Sequence, residues 1–158
     1  MLDLIVMAFE TDTTRVAAYQ MCAEDGVGIC DRFPAILGIG GPSDVAFLDG
    51  TAYVLVTLVG PDLGGDDVVG IYRVDGPDSF TVIADIGTWA VGNPPGTPFF
   101  IPTGVQYALQ PYRGGFLVTD GHHNRALGVT LDGGISELVT FGNVVPTGLA
   151  VRGNTVYM

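Results

Sequence analysis

Apolar residues along this chain come in short runs punctuated by glycine, proline and aspartate. Three stretches share one pattern: "GPSDVAFLDGTAYVLVT" from Gly41, "IPTGVQYALQPYRGGFLVTD" from Ile101 and "VPTGLAVRGNTVYM" from Val145. Each opens on proline and a small residue, runs as a short apolar strand, turns at glycine and returns as a second strand. Proline suits that entry, because its fixed φ fits a crossover and the first residue of a strand can forgo its ladder N–H. A second pattern follows the first. "GIYRVDGPDSFTVIADI" from Gly70 parallels "RALGVTLDGGISELVTF" from Arg125, each a strand, an Asp-Gly turn and another strand.

Joined, the two patterns predict four-stranded antiparallel units. The complete unit has strands over Thr103–Leu109, Gly115–Thr119, Arg125–Leu131 and Ile135–Phe141. The unit before it has Val45–Leu48, Ala52–Thr57, Gly70–Val74 and Phe80–Asp85. The second strand, "FLVT", does not alternate, as expected of a strand buried on both faces. The interval from Pro102 to Pro146 fits the roughly 40–45 residues of a propeller blade, and the longer one from Pro42 fits a blade with an insertion. The expected fold class is therefore all-β: a partial β-propeller of about three four-stranded antiparallel blades, fewer than the roughly four to eight that close a ring. The last residues, "NTVYM", fall inside a strand. A fragment, or a chain that self-associates through exposed blade edges, is expected.

Composition narrows the partners. The chain has 158 residues, is 47% hydrophobic and carries a formal charge of −11, from 17 acidic and 6 basic residues. Every basic residue is Arg. Such a surface repels phosphate backbones and anionic lipid, which leaves cations, neutral small molecules or a protein as partners and argues against nucleic acid. No apolar run approaches the roughly 20 residues of a spanning helix, so no membrane insertion is expected. The longest run, Leu4–Phe9, follows Asp3 and lacks the basic flank of a signal peptide. Cys22 and Cys30 do not make a CxxC motif, and the sequence leaves open whether they form a disulfide or stay as buried thiols.

The only histidines are adjacent, in "TDGHHNRALGVTLDG" from Thr119. In a propeller, the turn between second and third strands opens on the same face as the crossovers between blades. The expected ligand-binding residues are therefore Asp44, Thr103, His122, His123, Asn124 and Thr147. Metal binding by the histidine pair is one reading. Against it, neighbours on a turn point apart, and no third ligand is fixed by spacing. The other reading is a polar turn. Asp120 and Asn124 then shape the backbone, while the histidines face solvent and contribute nothing to stability. Asp62, Asp66 and Asp67, in "GPDLGGDDVVG", are oxygen donors suited to a divalent metal such as calcium, although their spacing matches no standard calcium loop. Trp89, Phe99 and Phe100 lie in a Pro-rich crossover and either pack the rim or wall the mouth. No nucleophile elbow, phosphate loop or HExxH occurs. Catalytic residues are consequently unassigned, and enzyme activity is not expected, though a propeller site scattered over several blades needs no motif.

The stretches from Gly41 to Met158 quoted above, with "PYRGGFLVTDGHHNRALGVTLDG" at their centre, resemble the ScyD/ScyE-like family of NHL-type or SMP-30-like β-propellers. The resemblance implies an extracytoplasmic or secreted protein of unassigned activity. It also implies that the Asp-turn-Asn-Arg pattern is structural. The SMP-30-like members imply an alternative to non-catalytic binding: a metal-dependent hydrolase or lactonase, with Asp44, His122, His123 and Asn124 converging. Residues 1–40 instead resemble part of a secreted alkaline-phosphatase-like or sulfatase-like family. That likeness makes Leu2–Glu10 a helix and Arg15–Met21 a strand. The competing reading overlays "LIVMAFETDTTRVAAYQM" on "FLVTDGHHNRALGVTLDG" and makes Ile5–Phe9 and Arg15–Gln20 strands of an earlier blade. The chain thus divides into an N-terminal segment, 1–40, and a partial propeller, 41–158.

Overall fold

The computed structural model describes residues 33–36 and 38–158. The expectations for Leu2–Glu10, Arg15–Met21 and the Cys22–Cys30 pair lie outside these residues. What is described is mostly β and antiparallel. The first sheet contains β1 (Gly41–Leu48), β2 (Thr51–Thr57), β3 (Gly70–Gly76) and β4 (Ser79–Asp85), laid side by side in chain order. The second contains β5 (Gln106–Tyr112), β6 (Gly115–Asp120), β7 (Arg125–Val129) and β8 (Ile135–Thr140), in the same order. A hairpin of β9 (Ala150–Arg152) and β10 (Thr155–Tyr157) follows. Among the described residues no helix is long and apolar enough to cross a membrane.

Turn chemistry sets the hairpins. Asp49 and Gly50 both have positive φ, 50° and 77°, and so do Arg113 and Gly114, 51° and 77°. Two-residue turns of this hand match the twist of the strands they join. Asp75-Gly76 is not the turn the sequence predicts. β3 runs through Gly76, which pairs with Ser79, and Pro77-Asp78 makes the corner.

β5 begins three residues later than predicted. Thr103 is left out of the strand because Gly104, at φ 76°, turns the chain first. The Pro-rich crossover also holds a helix the sequence reading missed, α1 (Ile86–Gly92). Asp85 caps it, its Oδ1 accepting from Thr88 N at 2.8 Å and its Oδ2 from Thr88 Oγ1 at 2.7 Å. Gly87 costs this helix propensity. It permits close approach instead: a Cβ there would stand 3.0 Å from Val69 Cβ.

β2 is buried from Tyr53 to Thr57 and β6 along its whole length. Two-sided burial is what the lack of alternation in "FLVT" predicts. One face of each sheet enters a shared core in which Tyr53, Leu55, Ile71 and Ile86 meet Leu109, Phe116, Val118 and Leu127. Tyr53 and Phe116 touch at 4.8 Å between ring centroids. The opposite face of the first sheet carries its own cluster of Val54, Val56, Val69 and Tyr72, with Phe33 packed on it.

Polar groups fix the register of the seam between the sheets. Asp44 Oδ2 accepts from Leu109 N at 2.7 Å, while its Oδ1 accepts from Val45 N at 2.8 Å. Thr57 Oγ1 donates to Gln106 Oε1 at 2.9 Å and accepts from Gln106 N at 3.0 Å. Gln106 Nε2 completes the set by donating to Thr103 O at 3.0 Å.

Truncating Asp44 to Ala strands Leu109 N at this seam. A lost bond to a charged acceptor costs about 1.5–3 kcal/mol. The urea midpoint should fall accordingly, and an unchanged midpoint would mean that the seam is held by apolar packing alone.

Candidate functional site

β6 and β7 are joined by Gly121–Asn124, closed by the pairing of Asp120 with Arg125. Asn124 takes the left-handed conformation, φ 53°, as the turn reading expects, and its N–H donates to Gly121 O at 3.2 Å. Gly121 admits no larger residue without a shift, since a Cβ would meet the Tyr107 ring at 2.6 Å.

The side chains of this turn point inward. Asp120, His123 and Arg125 are 0%, 1% and 1% exposed, which corrects the expectation that the histidines face solvent. Arg125 Nε donates to Asp120 Oδ2 at 3.1 Å, and its Nη2 lies 2.9 Å from His123 Nδ1. Nδ1 is also 2.9 Å from Asp120 Oδ2. One edge of the guanidinium faces the carboxylate and the imidazole, and His123 Nε2 lies 3.0 Å from Ile101 O. Arg125 Nη1 donates to Asn93 O at 2.7 Å, and the guanidinium lies 4.8 Å from the centre of the Trp89 ring. Asp120 Oδ1 accepts from Val105 N at 3.1 Å, taking the place of a ladder partner where Gly104 has turned the chain.

His122 performs a second structural task. Its Nε2 accepts from both Phe100 N and Ile101 N at 3.0 Å. The Phe100 ring stands edge-on to His122, 4.3 Å between centroids, and Phe99 stands edge-on to His123 at 5.3 Å. Asn124 Nδ2 donates to Thr97 Oγ1 at 3.3 Å. The turn therefore fastens the crossover along Asn93–Ile101. Trp89 packs against the core, whereas the Phe100 ring remains 82% exposed.

Not all the predicted residues meet. Asp44 is bonded at the seam between β1 and β5 and is not joined to the histidines. Thr147 is exposed in the segment between β8 and β9. Thr103 is instead gripped by Asp62, whose Oδ2 accepts from Thr103 N at 3.1 Å and Thr103 Oγ1 at 2.7 Å. Among the described residues no three His, Cys, Asp or Glu side chains gather as a group that could hold a metal ion, Asp62, Asp66 and Asp67 included. Likewise the nitrogens of His123 and Nε2 of His122 are engaged by protein. These donors do not fit the divalent metal that an SMP-30-like site implies.

What Asp62, Asp66, Asp67 and Thr103 do share is a cleft of about 310 Å³, to which Asp85 and Thr88 also contribute. Its walls come from the loop after β2, the start of α1 and the crossover before β5. Val69, Val91 and Pro102 give it apolar surface. Behind the loop, Tyr72 donates to Val68 O at 2.8 Å, and burial together with the charge of Asp67 pushes its hydroxyl up to about 12.

Of the most buried polar residues, Arg125 enters the sequence reading only as part of the Asp-turn-Asn-Arg pattern, and Gln106 does not enter it. For Arg125 the signal was present. A four-residue turn places the residues at its two ends opposite each other, so an Asp and an Arg in those places face across the hairpin. Gln106 offered only a polar residue within an apolar strand.

Removing one member of a buried ion pair costs about 3–5 kcal/mol, because the other charge is left without a partner. Asp120→Ala should lose stability on that scale in chemical denaturation. His123→Ala should lose about 1–3 kcal/mol by orphaning Ile101 O and Arg125 Nη2. A neutral result for either variant would refute the inward turn. His122 predicts a pH effect. Burial, reinforced by His123 and opposed by Asp120, lowers its pKa below the ordinary 6.5. Between that lowered value and 6.5 the unfolded chain binds a proton that the folded chain refuses. The contribution of His122 is therefore complete above 6.5 and declines as pH falls from there to the lowered folded value. Melting temperatures taken from about pH 7.5 to pH 5 should fall more steeply for the native chain than for His122→Gln.

Comparison with protein families, curated proteins and solved structures yields no match, and the chemistry of the site is read from its own residues.

Proposed function

We propose that the chain is part of an extracytoplasmic β-propeller of the ScyD/ScyE-like kind, serving as a non-catalytic binding module for a small cationic or neutral ligand. The observation that carries the binding role is the cleft between the 58–69 loop, α1 and Pro102–Thr103. It combines carboxylates at Asp62, Asp66, Asp67 and Asp85 with the apolar side chains of Val69 and Val91. A pocket with both an apolar wall and convergent polar groups is the usual form of a small-molecule site. The acidic surface selects against anions.

Support for neighbouring blades comes from two four-stranded meanders of like order that pack face to face, with their first strands joined by Asp44 and Leu109. The β9–β10 hairpin would belong to a further blade. The extracytoplasmic placement rests on the resemblance alone. The metal-dependent hydrolase or lactonase reading lacks support from geometry, because Asp44 and the histidine nitrogens already bind the protein's own backbone and side chains.

Amide chemical shifts should be followed while small primary amines, quaternary ammonium ions and sugars are titrated. The proposal expects saturable shifts centred on Val68, Val69, Thr88 and Thr103 with at least one class. The double variant Asp66→Asn, Asp67→Asn should weaken amine binding about tenfold, equivalent to about 1.4 kcal/mol, while leaving the fold intact. Shifts confined to other surfaces, or none with any probe, would overturn it.

A further inference from the structure

The crossover from α1 to β5 meets the β6–β7 turn at His122. The Nε2 of this ring accepts from two consecutive backbone donors, Phe100 N and Ile101 N, each at 3.0 Å. Successive N–H groups aimed at one point form a concavity that holds an acceptor or an anion. An imidazole fills that place only while Nε2 keeps its lone pair. Protonation puts a hydrogen on both ring nitrogens, and the imidazolium then offers donors alone. Its hydrogen would face two others, and its charge would face the positive ends of two peptide dipoles. Both bonds are therefore lost together.

His122 is half-buried, so a proton reaches it from water. Burial and the neighbouring His123 hold its pKa below the ordinary 6.5, against the opposing charge of Asp120. Arg125 stands on the far side of His123, its Nη2 2.9 Å from Nδ1 of that ring. The crossover, 93–104, supplies no charged or titratable side chain, nor does the segment 141–149, which reaches Gly121 through Val145. β5 supplies Tyr107, whose ring also lies against Gly121.

What His122 holds is continuous with a wall of the cleft. Ile101 precedes Pro102, and Pro102 and Thr103 line the cleft. A residue before proline is confined to extended backbone, and proline itself has a fixed φ. The link is stiff, so a shift at Ile101 passes on to Thr103. Thr103 carries the two bonds from Asp62, at 3.1 and 2.7 Å, that anchor the 58–69 loop. The Phe100 ring, edge-on to His122 and 82% exposed, leaves the held segment room to lift outward.

We propose that His122 is a pH-released clasp: protonation of Nε2 frees Phe100 and Ile101 and slackens the Pro102–Thr103 wall, so that the cleft binds a cationic ligand less tightly in acid. The clasp stands on its own geometry, whereas its effect on binding rests on the ligand reading above. The held form refuses a proton that the released form accepts. It is favoured above pH 6.5 and gives way as pH falls toward the lowered value.

The full chain is measured first without ligand, from about pH 7.5 to about pH 5. NOEs between the Phe100 and His122 rings should fade with the midpoint of the His122 imidazole titration. Hydrogen-exchange protection at the Phe100 and Ile101 amides should drop about tenfold with the same midpoint, and the Thr103 amide should follow. In His122→Gln the side-chain carbonyl accepts the two N–H groups at either pH, so these responses should be absent. n-Butylammonium, cationic throughout, should bind the native chain about fivefold more weakly at the acid end, and His122→Gln equally at both. An imidazole titration that leaves the NOEs and the protection unchanged overturns the clasp, as does an acid response that survives in His122→Gln. A response at Phe100 and Ile101 with Thr103 unmoved overturns the link to the cleft. Responses at all three amides, without butylammonium binding at any pH, support the clasp and count against the ligand reading alone.

Discussion

A carboxylate and a guanidinium withdrawn from water together organise the second sheet. Asp120 and Arg125 close the β6–β7 turn. Burial of either alone would be heavily unfavourable, so each is obliged to find partners for all its polar atoms. Those partners are what bind the sheet to its surroundings. The guanidinium reaches Asn93 O and the Trp89 ring, and the carboxylate reaches Val105 N. Among the described residues no buried side-chain nitrogen or oxygen lacks a hydrogen-bond partner. The network is complete, which is the condition under which buried polarity rigidifies a fold rather than weakening it.

The histidines belong to that network. His123 sets its Nδ1 beside Arg125 and Asp120 and its Nε2 beside Ile101 O. His122, on the same turn, holds the next two backbone donors of the crossover. The adjacent histidines do not point apart as the sequence suggests: their rings lie 5.5 Å between centroids, and both reach Ile101, His122 at its N–H and His123 at its carbonyl oxygen. An imidazole serves here because it presents a donor and an acceptor at opposite ends of a flat ring.

Much of the strand pattern was legible. Proline entries, glycine corners and the unbroken apolar strands gave eight strands in their observed order, because local backbone preference and burial agree there. Errors arose where a side chain from a distant strand replaced a ladder bond. Nothing local announces that Asp120 will take Val105 N, so β5 was placed too early. Helix α1 escaped notice because its two glycines lower propensity, while Asp85 and Thr88 supply the cap. The site was less legible than the fold. Burial of His123 depends on the crossover folding over it, and Asp62 meets Thr103 from 41 residues away.

The two sheets use the same corner differently. In the second, the chain passes from β6 to β7 in a tight turn closed by its own ion pair. In the first, Leu58 takes a left-handed φ of 59° after β2, and the chain wanders through the 58–69 loop before β3. Without an internal ion pair, that loop is anchored outward, through Asp62 to Thr103 on the crossover leading to the second sheet. Gly65 lets it fold back, since a Cβ there would stand 2.0 Å from Val59 O. Anchoring at one carboxylate leaves Asp66 and Asp67 lining the cleft. A turn that satisfies all its charges internally stabilises the fold and offers little to a ligand. A loop held at one end by a neighbour leaves carboxylates lining a cleft, and here it stands where the two sheets meet.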